Sequence, residues 1–371
     1  MSAVPADAPA NAAMQGDAAM QGGTLQDLLK VSVVVPTYRR PDLLERCLSA
    51  LLSQSLAPDA YEIIVADDGP SSDTAELVSR MTRVQGPALL YVPVTATQGP
   101  AGARNAGWHT ARADLIAFTD DDTQPDPGWL SAGLRAFEHA ASPEGIKELG
   151  GTQPGGEPRN AARLAAVTGQ VVMPLPDKPT DYEMDASGLV RAEFVTANCF
   201  VAKWALQEVG GFDERFTLAW REDSDLHFSL ISRGYAVRKA ADAIVLHPVR
   251  PAPPGISVRQ QRKVVFDALL YRKHPRLYRQ RIRRVPPLDY YVAAASAIVA
   301  ASAAIGGRPR VALAALAPWL LVTLYLTFRR LRGTTHSPRH VLEMALTSAT
   351  IPLASVFWRG VASVRHRVLF L

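Results

Sequence analysis

The chain has 371 residues, of which 48% are hydrophobic and 20% are charged. This composition excludes disorder throughout, a collagen-like repeat and a small disulfide-stapled fold, and the length suits one large domain with an additional region. The charge is unevenly divided. Residues 1–248 contain 20 Lys and Arg against 32 Asp and Glu, whereas residues 249–371 contain 20 against three. The acidic first part argues against nucleic acid as a partner. The opposite net charges of the two parts indicate that they face different surroundings.

The beginning of the chain shows no targeting signal. Residues 1–29 are rich in Ala, Gln, Gly and Pro, with no Lys, Arg or apolar run, so they predict a disordered tail and a cytoplasmic start rather than a signal peptide. The sequence contains only two cysteines, Cys47 and Cys199, which cannot form a metal cluster by themselves and suggest a reducing compartment.

From Val31 onwards, strand and helix patterns alternate. Short apolar runs predict strands, and helical patterns separate them; the predicted strands are Val31–Val35, Tyr61–Ala66, Leu89–Val92 and Leu115–Phe118. This alternation predicts an α/β domain with a mostly parallel sheet, whose ligands bind at the carboxyl ends of the strands. The segment after the first strand contains no glycine, which excludes a dinucleotide fingerprint or a phosphate-binding P-loop there.

Acidic clusters follow two of these strands. Asp120, Asp121 and Asp122 repel one another unless a cation neutralises them, and on an extended backbone Asp120 and Asp122 would share one side. Their oxygen ligands suit Mg²⁺ or Mn²⁺, ions that commonly carry diphosphate oxygens. Asp67 and Asp68 end the second strand similarly. The residues alone leave open a solvated acidic turn at the first cluster and an Asp-Gly turn at the second.

Three further positions have candidate chemistry. Arg104 and Asn105 lie near a helix start, where an Arg and a helix N-terminus could meet phosphate or simply form a surface helix. Glu222 and Asp223 open another helix, either as caps of its dipole or with one of them as a general base. His247 is either structural or a ligand.

Six motifs in order give these positions a common interpretation. They are VSVVVPTYRRPDLLERCLSALLSQ, IIVADDGPS, GPAGARNAG, LIAFTDDDTQPDPGWL, NCFVAKWALQEVGGFDERF and REDSDL. Over roughly residues 31–250 the chain resembles a family-2 glycosyltransferase of GT-A fold, a nucleotide-diphospho-sugar transferase domain related to the Rossmann fold. The resemblance implies a nucleotide-sugar donor, a divalent metal (Mg²⁺ or Mn²⁺) and inversion at the anomeric carbon.

The resemblance also implies roles for single residues. Pro36, Thr37 and Tyr38 would line the nucleobase pocket, Asp68 would bind the base, Asp67 would support the loop, and Arg104, Asn105 and Asp121 would belong to the nucleotide-sugar site. Asp120 would hold ribose or metal, and Asp122 would ligate the metal directly. Asp223 matches the catalytic base with Glu222 beside it, and His247 resembles a late His that approaches the metal or the diphosphate.

The C-terminal region has the pattern of a membrane segment. Seven cations lie within residues 272–284, and two charge-free stretches of eighteen residues follow, at 290–307 and 311–328. Eighteen helical residues span about 27 Å, close to the thickness of a bilayer core. The flanking cations place both outer ends in the cytoplasm. A shorter stretch at 341–358, interrupted by a proline, predicts an interfacial or re-entrant segment rather than a third span. Two buried helices of a soluble domain are the alternative.

These patterns predict four regions: a tail at 1–29, a GT-A domain at 30–254, a basic juxtamembrane segment at 255–287 and a membrane region at 288–371. Within the domain, 30–125 would bind the nucleotide-sugar and 126–254 would form the acceptor side. The expected protein is a multi-pass inner-membrane enzyme with its catalytic domain in the cytoplasm, which transfers one sugar to a lipid-linked saccharide or other membrane-borne hydroxyl.

The Gln-x-x-Arg-Trp element of processive synthases is missing, since Gln260-Gln-Arg-Lys-Val264 lacks the Trp and the spacing. Its absence argues against a processive polymerase and favours the transfer of one sugar.

Three other functions remain open at this point. A polyprenyl-phosphate glycosyltransferase is one alternative, with acceptor phosphate near residues 272–284. A catalytically silent scaffold of the same fold is another, although its carboxylates would then be unnecessary. A nucleotidyltransferase would be expected to show a Gly-rich phosphate loop.

Overall fold

The computed structural model describes residues 28–82, 86–142 and 163–371. The predicted tail, apart from its last two residues, lies outside this part of the chain.

The first half of the domain is a parallel α/β unit, as the alternating pattern predicted. Its strands are β1 (Val31–Thr37), β2 (Tyr61–Asp67), β3 (Ala88–Pro93) and β4 (Leu115–Phe118), and its helices are α1 (Pro41–Leu52), α2 (Ser72–Thr82) and α3 (Pro100–Thr110). The strands pair in parallel in the order β3-β2-β1-β4. Every residue of β1, β2 and β4 is buried, which explains why these strands are continuous apolar runs.

The second half turns the sheet into a mixed one. It contains β5 (Gln124–Pro125), α4 (Trp129–Ala141), β6 (Leu164–Val172), α5 (Asp181–Ala186), β7 (Cys199–Ala202), α6 (Lys203–Val209), α7 (Glu222–Ser232) and β8 (Ala236–Leu246). The sheet continues from β4 as β7-β6-β8-β5, and β7 runs antiparallel to both β4 and β6. The expectation of a parallel sheet therefore holds throughout the first half, whereas in the second half only β6 and β8 pair in parallel. Because β7 is antiparallel to β4, its first residue, Cys199, lies opposite Phe118 at the carboxyl end of β4.

Apolar cores lie on both faces of the sheet. On one face α1 contributes Leu44, Leu48 and Leu51, all fully buried against β1 and β2. Cys47 lies in this core and Cys199 in the opposite one, and both are buried free thiols whose pKa is raised by burial. The two cores fix the sheet from both sides, so its polar carboxyl edge forms a rigid base for a site.

The C-terminal part is helical. It contains α8 (Ile256–Arg259), α9 (Val264–Lys273), α10 (Pro275–Leu277), α11 (Leu288–Ile305), α12 (Pro309–Leu331) and α13 (Pro338–His366). Within the described residues, α11, α12 and α13 are long and apolar enough to cross a membrane. The stretch predicted at 341–358 is thus part of one continuous 29-residue helix that contains Pro352, with no re-entrant turn.

Candidate active site

The strands β1, β2 and β4 end side by side, because β1 pairs in parallel with both of the others. This edge is the point where the strand order reverses, since the chain runs from β1 outward to β3 and returns to β4 on the other side. In open α/β sheets a crevice forms at such a reversal. The acidic clusters at the ends of β2 and β4 therefore lie at the edge where a ligand is expected.

At the end of β2 the two carboxylates have different tasks. Asp67 accepts hydrogen bonds from the backbone N–H of Gly69 at 3.1 Å and from the hydroxyl of Tyr91 at 3.0 Å, so it supports the loop. Both oxygens of Asp68 lie 2.8 Å from the backbone nitrogen of Gly99, which precedes α3. Burial raises the pKa of Asp68. Asp68 therefore joins β2 to the start of α3.

Gly99 is required at this junction. Its φ is +111°, a conformation that side chains rarely adopt, and a Cβ there would lie 2.9 Å from the carbonyl oxygen of Thr217. The segment before α7 thus packs directly on the loop that Asp68 holds.

The residues after β1 are only partly open. Pro36 is buried within β1, in register with Ala66, and Thr37 donates a hydrogen bond to Asp121 at 2.7 Å. Tyr38 is 48% exposed, and its ring lies so close to Gly69 that a Cβ there would be 2.6 Å away. Of the three, Tyr38 alone offers a large exposed surface.

The triplet after β4 forms a turn rather than the extended backbone that the sequence suggested. The backbone N–H of Thr123 donates to the carbonyl oxygen of Asp120, closing the turn. Asp121 points inward and is fully buried, where it contacts Thr37 and also Arg40 at 2.8 Å. Burial raises the pKa of Asp121 to about 7 despite Arg40. The side chain of Asp121 thus supports the turn from inside, and its assignment to the donor site stays a prediction.

The other two carboxylates meet His247. One ligand atom each from Asp120, Asp122 and His247 can be chosen so that all three lie within 4.8 Å of one another. His247 follows β8, and its backbone N–H donates to Val172 at 2.8 Å, which fixes its position. Its Nδ1 is buried and has no hydrogen-bond partner among the described residues. Two carboxylates and an imidazole whose Nε2 lies 3.7 Å from Asp122 form a donor set that a divalent cation could use.

Arg104 connects this cluster to the helix α7. Its buried guanidinium lies 2.7 Å from Asp120 and 3.1 Å from Glu222, so it does not occupy the surface helix start that the sequence left open. Burial raises the pKa of Asp120, but Arg104, His247 and Arg40 together outweigh burial, so the pKa lies below its ordinary value. A buried pair of this kind holds its partners firmly, because separating them leaves a charge without compensation.

Asn105 makes its hydrogen bonds within the protein, and its assignment to the donor site stays a prediction. Its Nδ2 donates to the carbonyl of Phe212 and to Glu214, and its Oδ1 accepts from Trp108 and from the N–H of Phe212. Both groups of the amide are engaged within the protein, so Asn105 fixes the 211–214 loop against α3.

The two acids at the start of α7 have different surroundings. Glu222 is 4% exposed, and burial raises its pKa to about 7 despite Arg104. Asp223 is half-buried, and its Oδ1 accepts from the backbone N–H of Ser224 at 2.6 Å. Burial raises its pKa as well. Asp223 is the more accessible of the two carboxylates.

Two arginines that were not predicted as site residues lie beside Asp122. Arg40 lies 3.7 Å from it, and Arg250 lies 2.9 Å from it with half of its side chain exposed. Arg40 belongs to the segment after β1, and Arg250 follows His247 by three residues. Their closeness in sequence to these motif residues is the one feature that could have indicated them in advance.

Comparison with known proteins agrees with this geometry. The family model "Glycosyl transferase family 2" matches residues 32–142, and "Glycosyl transferase family group 2" matches residues 115–358. The second match covers more than half of the chain and extends from β4 into α13.

Two curated relatives illustrate the range of similarity. Glycosyltransferase AglE of Haloferax volcanii is 27% identical over 60% of this chain and 67% of its own length. The GalNAc(5)-diNAcBac-PP-undecaprenol beta-1,3-glucosyltransferase of Campylobacter jejuni is 34% identical over 28% of this chain and 32% of its own length. Matches to two further glucosyltransferases span about half of their length.

Among solved structures, the mannosyltransferase PcManGT from Pyrobaculum calidifontis, in complex with GDP-Man and Mn²⁺, has a TM-score of 0.54 and 21% identity. The match covers 87% of this chain and 86% of that one. It shows that the catalytic domain has the GT-A fold.

Proposed function

The chain belongs to family 2 of the glycosyltransferases, and from this premise we propose that it transfers one sugar from a nucleotide-diphospho-sugar to a hydroxyl of a lipid-linked saccharide or other membrane-borne acceptor, with inversion. One observation carries the proposal: Arg104 joins Asp120 of the cation-binding cluster to Glu222 beside Asp223. The carboxylates of the cation-binding cluster suit a diphosphate with its cation, and the carboxylates of Glu222 and Asp223 suit an attacking hydroxyl. Transfer of a sugar needs both at one edge of the sheet.

The donor would bind along the ends of β1 and β2. Tyr38 offers an exposed ring on which a nucleobase can stack. Asp68, whose backbone N–H donates to the carbonyl of Thr37, would accept a hydrogen bond from the base. Pro36, Thr37 and Asp67 shape this pocket from behind. We assign them to its walls, because their own contacts are already made within the protein.

A divalent cation, Mg²⁺ or Mn²⁺, would be held by Asp120, Asp122 and His247. The Nε2 of His247 lies 3.7 Å from Asp122, and together with the two converging carboxylates it fits such an ion. When bound, it would offset the negative charge that develops on the departing diphosphate. Arg250 now neutralises Asp122, and half of its side chain is exposed, so it can move aside for the ion.

Asp223 would act as the general base. A sugar hydroxyl has a pKa far above neutrality, so a carboxylate must accept its proton while the bond to the anomeric carbon forms. Asp223 is accessible for this task and is oriented by the backbone N–H of Ser224. Glu222 is held by Arg104 and would position the first turn of α7.

We further propose that the catalytic domain at 30–254 lies in the cytoplasm, that the basic segment at 255–287 lies on the inner membrane surface, and that α11 and α12 cross the bilayer. The turn between these two helices would face the other side. Many apolar side chains on this hairpin are exposed, including Ile305 at 89% and Leu313 at 74%, which suits contact with lipid.

The third apolar helix, α13, touches the catalytic side at both ends. Near its start, Glu343 accepts from the backbone N–H of Gly255 at 2.8 Å, and at its end the carbonyl of His366 accepts from Arg272 at 2.9 Å. These two contacts are 23 residues apart, or about 35 Å along a helix. A spanning helix would carry one of its ends to the far side of a core about 30 Å thick. We therefore propose that α13 lies in the plane of the membrane surface.

The exposed side chains of α13 agree with this placement. They form one apolar stripe with helical spacing, consisting of Leu342, Leu346, Leu353, Phe357 and Val364. The opposite face packs on α9 and on the hairpin: Ala362 lies in one core with Phe266 and Leu269, and Thr347 and Ser348 accept hydrogen bonds from Arg330 of α12. An in-plane helix would dip its stripe into the acyl chains.

Membrane placement can be tested directly. Full-length protein should stay in membranes after a high-salt or alkaline wash, whereas a chain ending near residue 284 should be released by salt. In inverted vesicles, Ser337→Cys and Arg365→Cys should both react with a membrane-impermeant maleimide added on the cytoplasmic side, and Arg308→Cys should not. Labelling of Ser337→Cys without Arg365→Cys would show that α13 spans the bilayer.

The polyprenyl-phosphate alternative depends on cations within residues 272–284, and several of these are already engaged. Lys273 contacts Asp213 and Asp225 at 2.7 Å each, and Arg281 is paired with Glu193. These contacts weaken the case for a phosphate site there and favour a hydroxyl acceptor.

The activity itself is tested by donor hydrolysis. Purified full-length protein would be incubated with a panel of UDP-, GDP- and dTDP-sugars, with Mg²⁺ or Mn²⁺ and with a chelator. We expect release of nucleoside diphosphate from one class of donor, dependent on the cation. Absence of hydrolysis and of binding across the panel would favour the silent scaffold.

A further inference from the structure

A cavity of about 260 Å³ lies outside the carboxylate clusters, between the catalytic domain and the membrane helices. Its walls are α5, the segment at 250–257, the last turn of α12 and the first turns of α13. Arg330, at the end of α12, forms part of the wall and ties it together by bonding to Asp181, Ser257 and Thr347. Because α12 is a proposed spanning helix, the cavity lies at the depth of the cytoplasmic headgroups.

The cavity adjoins the cation-binding cluster through a single side chain. Arg250 lines the cavity, and its Nε lies 2.9 Å from Asp122. A polar group held in the cavity would thus be separated from the cluster by one exposed and movable guanidinium. This places the cavity where the head of a membrane-borne molecule can approach the donor.

The charges around the cavity leave an excess of one negative charge and are mostly compensated. Three acidic and two basic residues line it together with one His, and each acid already has a donor: Arg330 for Asp181, the Thr180 cap for Glu183, and the backbone of Gly255 for Glu343. A phosphate dianion would be disfavoured there, because the carboxylates outnumber the guanidinium groups by one and both arginines are already paired with carboxylates. A neutral hydroxylated ring would not, because its hydroxyls both donate and accept hydrogen bonds.

One polar group in the wall is free. His340 is 6% exposed and lines the cavity, and its Nε2 has no hydrogen-bond partner within the described part of the chain. A buried polar nitrogen without a partner is costly, and a ligand hydroxyl would satisfy it. Tyr182, Pro251 and Met344 supply apolar surface for the carbon face of a ring. The volume lies just below the roughly 300–1,000 Å³ of sites for larger ligands, which suits a single ring.

We propose that this cavity binds the neutral sugar ring of a membrane-borne acceptor glycolipid, with His340 as a specificity-determining contact to one of its hydroxyls. The inference rests on the proposed function and adds the substrate class: a glycosylated lipid rather than a lipid phosphate.

The test uses full-length protein in nanodiscs, with octyl glycosides of different sugars, below their micellar concentration, as probes. Binding measured by calorimetry needs no donor, so its result is independent of donor hydrolysis. We expect one glycoside to bind, and His340→Leu to weaken that binding by about three- to ten-fold, the effect of losing one hydrogen bond. His336→Leu is the matched control, since His336 is exposed just before α13 and contacts the carbonyl of Leu331.

A second variant changes a different wall of the cavity, the segment at 250–257. Ala252→Phe should fill the cavity and abolish glycoside binding even if His340→Leu fails to fold. In transfer assays with the donor that the hydrolysis panel identifies, both variants should raise the ratio of acceptor KM to donor KM. Donor hydrolysis combined with glycoside binding that neither variant changes would overturn the cavity proposal, as would preferential binding of vesicles containing polyprenyl phosphate. Failure of donor hydrolysis would instead overturn the proposed function.

Discussion

Replacement of Asp223 with asparagine tests the proposed base while leaving its surroundings in place. The carboxylate accepts from the backbone N–H of Ser224 at 2.6 Å and from its hydroxyl at 3.3 Å, and an amide oxygen can accept both bonds. Burial raises the pKa of Asp223, so a neutral side chain there is not expected to destabilise the fold. An amide cannot take a proton from the acceptor, and kcat should fall by about 10²–10⁴, or about 3–5 kcal/mol in the activation barrier.

Initial rates of transfer would give kcat, and calorimetry would give the donor Kd, which should change by less than about twofold. Asp225→Asn is the matched control from the same helical turn, because its carboxylate contacts Lys273 and His274 instead. That variant should lose thermal stability while kcat changes little. A near-normal rate for Asp223→Asn, combined with an inactive Glu222→Gln, would refute the choice of Asp223.

Three further changes test other parts of the site. Asp122→Ala should abolish donor turnover and its dependence on Mn²⁺ or Mg²⁺ without unfolding the protein; a chelator-insensitive wild type would contradict this. Arg104→Met should destabilise the fold by about 3–5 kcal/mol, seen as a lower Tm, because it leaves buried Glu222 unpaired. Burial lowers the pKa of His227 to about 4, so its contribution to stability is present above about pH 6.5 and is lost as the pH falls towards 4; it amounts to about 3 kcal/mol. His227→Phe should reduce the fall in Tm between about pH 6.5 and 4. If the pH dependence of Tm is unchanged in this variant, His227 is not the group responsible.

The fold of the first half could be predicted from local patterns. The runs at Val31, Tyr61 and Leu115 are apolar because both faces of their strands are covered, and this leaves a direct trace in the sequence. The acidic clusters follow these strands immediately, so their place at the sheet edge was also predictable. The antiparallel β7 was not, because its neighbours β4 and β6 are distant in sequence and its strand direction has no local signature.

The partners of individual side chains were harder to predict. A turn rather than extended backbone decides that Asp121 points inward while its neighbours face His247. Arg104 and Asn105 are adjacent on α3, yet one joins two carboxylates and the other holds a loop more than 100 residues away. Such choices depend on which segment packs against the helix, which no short motif specifies. The same holds for α13, whose composition suits a span but whose two ends both return to the catalytic side.

The burial of both native cysteines has a practical consequence. Cys47 and Cys199 are the only cysteines in the sequence, both are fully buried, and burial raises the pKa of each thiol, so little reactive thiolate is present at neutral pH. Neither should react with maleimide while the protein is folded. Single cysteines introduced on the surface can therefore be labelled in the otherwise unaltered protein, and slow reaction of the native pair on heating would report opening of the two cores of the sheet.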